Sequence, residues 1–215
     1  MPGWPDEGRR IVQGPHVEAL LRRAMNESPA FPSVFNAGAG EGGYTRTLLG
    51  LPGVKSLVES DYGWQRNGVT RIDPRQKFFC ASLASLPVQN KKFDLVLCTE
   101  VLEHIAEHEE ALDEIKRVMN PGGWLLITVP TPPAIPDPNH VREGYRPEEL
   151  TGMLRARGFE VVEVRFCMHF FFRTVLRTWP KLAWRPRFFI RSLSSLDGWM
   201  KFGPPMDLMV LARVK

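Results

Sequence analysis

The spacing of hydrophobic residues changes along the chain between a helical pattern and a strand pattern. Between His16 and Met25 apolar residues recur three or four positions apart, which predicts a leading helix that stops before Ser28 and Pro29. Helical spacing also predicts helices at 44–49 and 109–119, and a further helix that Pro147 opens and Gly158 closes. Short apolar runs predict strands at 34–36, 54–60, 78–81, 94–99, 124–129, 159–166 and 208–214.

Strands and helices alternate in this predicted order until the last two strands. The order therefore predicts a doubly wound, Rossmann-like α/β sheet whose last two strands are not joined by a normal crossover. A length of 215 residues suits one domain with a full core. We divide it into an N-terminal leader and helix at 1–32, a cofactor-binding core at 33–166, an insertion at 167–206 and a final strand at 207–215.

A glycine-rich run follows the first predicted strand and precedes a helix. Four glycines lie there, and they let a ligand approach backbone N–H groups at a helix N-terminus: Gly38, Gly40, Gly42 and Gly43. A nucleotide-like ligand is the function this pattern favours, and a structural tight turn is the alternative. The run also fits the G-x-G-x-x-G spacing of dinucleotide folds, so the loop alone does not separate NAD from other nucleotide-like cofactors.

An acidic residue ends the second predicted strand, about 20 residues after the glycines. Glu59 and Asp61 point the same way by strand alternation, and Asp61 lies at the extreme end. A carboxylate there, at the edge where open α/β sheets bind ligands, can accept both hydroxyls of a ribose. A solvated loop acid is the alternative, and the preceding glycine loop disfavours it.

Five segments in order give the chain a resemblance to a known family. It resembles the class I S-adenosylmethionine (SAM) dependent methyltransferases, most closely the broad type 11 group with the ubiquinone and menaquinone biosynthesis enzymes. The resemblance covers roughly 34–166 and rests on NAGAGEG, ESDY, ASLASLP, FDLVLCTEVLEH and IKRVMNPGGWLLITVP. It implies a mostly parallel seven-stranded sheet with a reversed last strand, and SAM as cofactor.

The resemblance also implies a set of cofactor-binding residues. It assigns the glycine loop to the methionine moiety of SAM, Asp61 to the ribose and the following segments to the adenine and the sulfonium. Two positions depart from the family pattern, because Asn36 stands where Asp is usual and Ser82 where an acidic residue often meets the adenine. The full set is Asn36, Gly38, Gly40, Asp61, Tyr62, Ser82, Leu83 and Thr99.

Two histidines are the candidate catalytic bases. Methyl transfer needs an acceptor held in line with the S–CH3 bond and often a group that takes its proton. His104 follows the fourth predicted strand, and His140 lies in a proline-rich loop after the fifth, where Arg142 and Tyr145 could orient an acceptor. A hydrogen-bonded structural histidine is the alternative for each.

The segment HIAEH permits a rival interpretation. His104, Glu107 and His108 match the H-x-x-E-H pattern in which two histidines on one helical turn bind zinc. A five-residue match is common by chance, and the methyltransferase pattern already accounts for these residues, so we predict no metal site.

Charge and composition narrow the picture only slightly. The net charge is +4, with basic residues concentrated late in the chain, and no segment reaches the roughly 18 uncharged residues of a spanning helix. Cys80 and Cys98 fall in strand-like runs and are expected to be buried thiols, and with Cys167 they suggest no disulfide framework. These features favour a cytoplasmic protein.

The insertion at 167–206 mixes aromatic residues with arginines and permits three interpretations. It packs as a lid over the substrate, lies on an anionic membrane surface, or, least favoured, binds nucleic acid. Exposed aromatic residues there would also suit a homodimer contact.

The sequence as a whole predicts a SAM-dependent methyltransferase. The acceptor is expected to be a small or lipid-linked molecule, methylated most readily on oxygen. A non-catalytic SAM-fold binding protein is the first alternative, because of Asn36 and Ser82, and an NAD-type oxidoreductase or a zinc hydrolase is less favoured.

Overall fold

The computed structural model describes residues 4–63, 71–134, 137–169, 192 and 203–215. Most of the predicted insertion at 167–206 lies outside the described residues. The described helices are α1 (Trp4–Met25), α2 (Thr45–Leu49), α3 (His108–Val118) and α4 (Pro147–Ala156), with a 3-10 turn at Leu102–His104. The strands are β1 (Ser33–Ala37), β2 (Ser56–Ser60), β3 (Gln76–Phe79), β4 (Phe93–Thr99), β5 (Met119–Pro130), β6 (Phe159–Cys167) and β7 (Asp207–Val214).

The strands form one seven-stranded sheet in the order β3-β2-β1-β4-β5-β7-β6. The β1–β2, β1–β4, β2–β3 and β4–β5 pairs are parallel, whereas β7 runs antiparallel to both β5 and β6. The predicted fold class is therefore confirmed, including the reversed last strand. Because β1, β2, β4 and β5 are parallel, the residues that follow them meet at one edge of the sheet, which we call the carboxyl edge.

Two hydrophobic clusters cover the two faces of the sheet. Alternate residues of one strand enter opposite clusters: in β1, Val34 packs on the face that α1 covers and Phe35 on the face that α3 covers. Burying one such large side chain contributes about 1.5–3 kcal/mol. The apolar runs of the central strands are thus explained by burial on both faces.

The sequence of helix α3 accounts for its buried face and for the charged residues at its two ends. Leu112 and Ile115 lie on its buried face. Its first turn carries Glu109 and Glu110 and its last turn Lys116 and Arg117, which complements the helix dipole. In α4, Pro147 occupies the first turn, and Gly158 with φ +77° follows the end.

Several predicted boundaries were wrong. Helix α1 begins at Trp4 rather than His16 and continues through Pro15. Strand β3 ends at Phe79, so Cys80 is exposed rather than buried. Strand β5 begins at Met119 and includes the predicted turn.

The early start of β5 has a visible cause. Met119 pairs with Phe93 before Trp124 pairs with Leu95, so the extra residues of β5 are accommodated as an irregularity in the ladder. Gly122 adopts φ +72° there. Within the described ranges, no helix has the length and apolar character that crossing a bilayer requires.

Candidate cofactor and acceptor site

The glycine loop lies at the carboxyl edge, directly after β1. Gly38 and Ala39 donate their N–H groups to the Ser60 carbonyl of β2, over 2.8 and 3.0 Å. Gly38 has φ +69°, and a Cβ atom there would lie 2.3 Å from Cγ2 of Val101. Gly40 has φ +51°, and a Cβ atom there would meet nothing within 4 Å. Gly38 is thus required for close packing, whereas Gly40 faces open space at the edge.

A buried carboxylate holds the base of the loop. Glu59 accepts hydrogen bonds from Nδ2 of Asn36 at 2.9 Å, Oγ1 of Thr45 at 2.7 Å and Nε2 of Gln76 at 2.8 Å. Asn36 and Glu59 are neighbours in the β1–β2 ladder, and both are buried. The negative charge that the family pattern places at position 36 is therefore present one strand away, on Glu59.

Asp61 stands at the end of β2 and contacts the glycine loop. Its Oδ2 accepts the N–H of Gly40 at 2.8 Å, and its Oδ1 accepts the N–H of Gly63 at 2.7 Å. A carboxylate has about four lone-pair positions, so both oxygens can accept further hydrogen bonds from a ribose. Tyr62 beside it is 70% exposed. These residues fit a nucleoside at the open side of Gly40.

The remaining predicted cofactor residues also follow strands at this edge. Ser82 is exposed, and its Oγ accepts the N–H of Ala84 at 3.2 Å, which leaves the hydroxyl proton to donate elsewhere. Leu83 is buried against the core. Thr99 is the half-buried last residue of β4.

A buried charged network lies next to Thr99. Arg9 of α1 pairs with Glu100, and its Nε lies 3.9 Å from Oδ2 of Asp207, the first residue of β7. Gln13 donates to both carboxylates, at 3.1 and 2.7 Å. Burial raises the pKa of Asp207 to about 7. Helix α1 is thus fixed over the edge of the sheet by its polar face.

Glu103, in the 3-10 turn after β4, is fully buried. Neither of its carboxylate oxygens has a hydrogen-bond partner among the described residues. Burial, and then the charge of Glu100, raises its pKa well above the ordinary value.

His104 and His140 lie next to each other beside Glu103. Their ring centroids are 4.7 Å apart, edge to face. Nδ1 of His104 lies 3.0 Å from the carbonyl oxygen of Asn139. A carbonyl oxygen only accepts, so Nδ1 carries a proton, and in the neutral imidazole Nε2 then keeps its lone pair. Burial and the neighbouring His104 lower the pKa of His140. The structure therefore brings the two predicted catalytic histidines together.

The loop that carries His140 is attached to the turn that carries His104. Val141 donates its N–H to the Glu103 carbonyl at 3.0 Å, and the Tyr145 hydroxyl lies 3.3 Å from the Leu102 carbonyl. Tyr145 is fully buried, so it holds the loop rather than orienting an acceptor. Arg142 lies over the Tyr145 ring and bonds Glu149 at 2.8 Å, which gives it the same structural role.

The H-x-x-E-H interpretation is wrong. His104 ends the 3-10 turn, Ile105 is extended, and α3 begins only at His108, so the two histidines do not share a helical turn. His108 instead contacts Arg142, with 2.7 Å between Nε2 and Nη1.

The fold defines a class of protein. The sheet order with an antiparallel β7 differs from the all-parallel order of dinucleotide-binding oxidoreductases, which disfavours the NAD alternative. Residues 35–127, from β1 into β5, match the family model described as a methyltransferase domain. The fold and this match agree with the class I SAM-dependent methyltransferases that the sequence resembles, and SAM is the cofactor of that class.

Individual proteins show the same likeness. A Mycolicibacterium smegmatis protein named as a probable SAM-dependent methyltransferase is 29% identical over 150 residues, which cover 63% of this chain and 55% of that protein. A SAM-dependent methyltransferase structure from Archaeoglobus fulgidus has a TM-score of 0.63 at 20% identity, and 92% of each chain is covered. The N-methyltransferase NodS from Bradyrhizobium japonicum, in complex with S-adenosyl-L-homocysteine, has a TM-score of 0.60 at 18% identity, covering 94% of this chain and 87% of that one. The chain spans about half the length of the curated relatives it matches.

Sequence reasoning missed the residues that support the site. Glu59 was considered only as an alternative to Asp61, and Arg9, Gln13, Glu103 and Asp207 were not predicted at all. The one available signal was the acidic pair in TEVLEH, since two carboxylates so close to a buried strand need partners. Those partners come from distant parts of the chain.

Proposed function

We propose that the chain transfers the methyl group of SAM to an oxygen atom of a small or lipid-linked acceptor. The observation that carries the proposal is the shared carboxyl edge: Asp61 and Gly40 lie on its cofactor side, and His104 with His140 follows β4 and β5 on the same edge. Binding and orientation of both reactants at one place is the main requirement for methyl transfer.

SAM, when bound, supplies an activated methyl group on a cationic sulfur. The N–H groups of the glycine loop would hold its methionine moiety, and Asp61 would accept its ribose hydroxyls. Ser82 and Leu83 would lie beside the adenine, and Thr99 near the sulfonium. Asn36 is compatible with this binding mode, because the carboxylate of Glu59 retains a buried negative charge beside the loop.

Oxygen is the preferred acceptor atom for a chemical reason. A neutral amine attacks a methyl sulfonium through its own lone pair, whereas an alcohol is a weak nucleophile until its proton is withdrawn. Two imidazoles side by side, one with a free Nε2 lone pair, suit an acceptor that must lose a proton. NodS, by its name, methylates nitrogen, so the acceptor atom needs a direct test.

The first experiment measures cofactor binding by calorimetry with SAM, S-adenosylhomocysteine and NAD. Wild-type protein and Asp61→Ala are compared with Asp113→Ala, an exposed acid of α3, as the matched control. Binding of the two adenosyl ligands, weakened only in Asp61→Ala, supports the proposal. Binding of NAD alone would refute it.

The second experiment follows transfer. The protein is incubated with methyl-labelled SAM and either soluble extract or membranes, and labelled products are separated into ethers, esters, amines and lipids. Label on oxygen supports the proposal, and label in the lipid fraction selects a lipid-linked acceptor. Tight SAM binding with no label in any fraction would establish the non-catalytic alternative.

A further inference from the structure

A cluster of three potential metal ligands lies around the buried Glu103. Glu103, His104 and His140 each offer one ligand atom, and the three atoms lie within 4.8 Å of one another. They come from two segments, the 3-10 turn after β4 and the loop after β5. No other group of three such side chains meets this criterion in the part of the chain that the structure describes.

The carboxylate of Glu103 is the member of this cluster that most needs a partner. Glu103 is fully buried, and the described residues give neither of its oxygens a hydrogen-bond donor. Buried carboxylates normally have hydrogen-bond donors, paired charges or metal ions around them. The contrast with Glu59, which has three donors, shows that this chain can satisfy a buried carboxylate where its role is structural.

His104 is oriented as a metal ligand is. His104 has its Nδ1 on the Asn139 carbonyl, and its Nε2 lies 3.9 Å from Oε1 of Glu103. A backbone carbonyl on one ring nitrogen is the usual support for a histidine that ligates through the other. An ion about 2.1 Å from each atom would draw such a pair to roughly 3–3.4 Å, a small inward shift.

We propose that Glu103, His104 and His140 bind a divalent transition-metal ion such as Zn²⁺ or Mn²⁺. Two imidazole nitrogens and one carboxylate oxygen suit such ions, whereas Mg²⁺ prefers oxygen ligands alone. Three protein ligands leave coordination positions open, as in catalytic rather than structural metal sites.

The role of the ion, unlike its binding, rests on the proposed function. An acceptor hydroxyl at an open position would have its pKa lowered by the ion, as bound water does. The proton would leave to solvent, and the oxygen would bond to the methyl carbon as the carbon–sulfur bond breaks and S-adenosylhomocysteine departs. His104 and His140 would then act through the ion, which explains why both lie against one buried carboxylate.

The test uses the full chain, without an affinity tag, stripped with a chelator and dialysed. Calorimetric titration with Zn²⁺, Mn²⁺ and Mg²⁺ is compared for wild type, Glu103→Gln, His140→Ala and the control His108→Ala. We expect one Zn²⁺ or Mn²⁺ per chain, weaker Mg²⁺ binding, and at least about tenfold weaker binding in the first two variants but not in His108→Ala. If Glu103→Gln does not fold, the affinity of His140→Ala for the ion is the deciding measurement.

Absence of binding, or unchanged affinity in both ligand variants, would overturn the metal site. Its failure is separable from failure of the proposed function. If the ion binds but no labelled methyl group is transferred, the metal site is supported and the proposed methyl transfer is refuted. If removal of the ion does not change the rate of methyl transfer, the proposed function is supported and the catalytic role of the ion is refuted.

Discussion

The cofactor side and the acceptor side of the carboxyl edge each contain a buried carboxylate, and the two carboxylates differ in their hydrogen bonding. Glu59, under the glycine loop, receives three hydrogen bonds from side chains of β1, α2 and β3. Glu103, beside the histidines, receives none from the side chain of any other described residue. The first arrangement is complete without a ligand, whereas the second is complete only with a proton or a cation. The difference separates a residue that builds the site from one that is available for its chemistry.

The largest expected effect is a loss of stability when Glu59, the carboxylate with three hydrogen bonds, is replaced. Glu59→Ala leaves three buried donors without a partner, and we expect it to lower the free energy of unfolding by about 5 kcal/mol or more, since each hydrogen bond to a charged group is worth about 1.5–3 kcal/mol. Urea denaturation measures this loss. Glu103→Gln in metal-free protein is the counterpart and should change stability by less than about 1 kcal/mol. Equal losses in the two variants would show that the contrast is not real.

Removing a histidine should affect catalysis and spare the cofactor. For His140→Ala we expect kcat to fall about 100-fold or more, the range of a group that assists proton removal, with a Kd for SAM equal to that of wild type when both proteins are free of metal. Initial rates with labelled SAM and a calorimetric titration give the two values. His108→Ala serves as the control. A parallel loss of SAM affinity would instead place His140 on the cofactor side.

Asp61→Ala should show the reverse pattern. Loss of two hydrogen bonds from a ribose to a carboxylate, each worth about 1.5 kcal/mol or more, should weaken SAM binding by about 100-fold or more, since 1.4 kcal/mol is a factor of ten. Asp61 also accepts the Gly40 N–H, so part of the loss would come from the loop. Asp61→Asn, which keeps one acceptor oxygen, should recover part of the affinity. An affinity equal to wild type in both variants would refute the ribose assignment.

The last prediction concerns the pH dependence of stability. Burial raises the pKa of Asp207 to about 7 in the folded chain, against about 4 when unfolded. Arg9, Glu100 and Cys167 face it. A group with a raised folded pKa stabilises the protein below its unfolded pKa, and that contribution is lost as pH rises toward 7. The unfolding free energy of wild type should therefore fall from pH 4 to pH 7 relative to Asp207→Asn. Parallel pH curves would contradict the assignment.

The sequence predicted local features of this molecule better than long-range ones. Apolar runs located all seven strands, most clearly the central strands β1, β4 and β5, which are largely buried on both faces. The glycine loop and Asp61 were found because they directly follow strands in the sequence. Asn36 could not be interpreted alone, because Glu59 joins it only through the β1–β2 register.

The acceptor side depends on segments that are distant in sequence. His104 and His140 were predicted separately, but their contact and the buried Glu103 between them follow from how the loop after β5 folds back. The start of α1 was misplaced because Pro15 reads as a helix stop, whereas Arg9 and Gln13 are held by acids from β7 and from the end of β4. Tertiary contacts outweighed the local signal there.

The close approach of Val101 to Gly38 is a packing contact that the cofactor side and the acceptor side of the carboxyl edge share. Val101 lies two residues before Glu103, and it occupies the space that a side chain at position 38 would need. A ligand that moves Gly38 toward Val101 would therefore also displace the turn that carries Glu103 and His104. Linkage is reciprocal, so an ion or acceptor held by that turn would alter the affinity for SAM by the same factor by which SAM alters theirs.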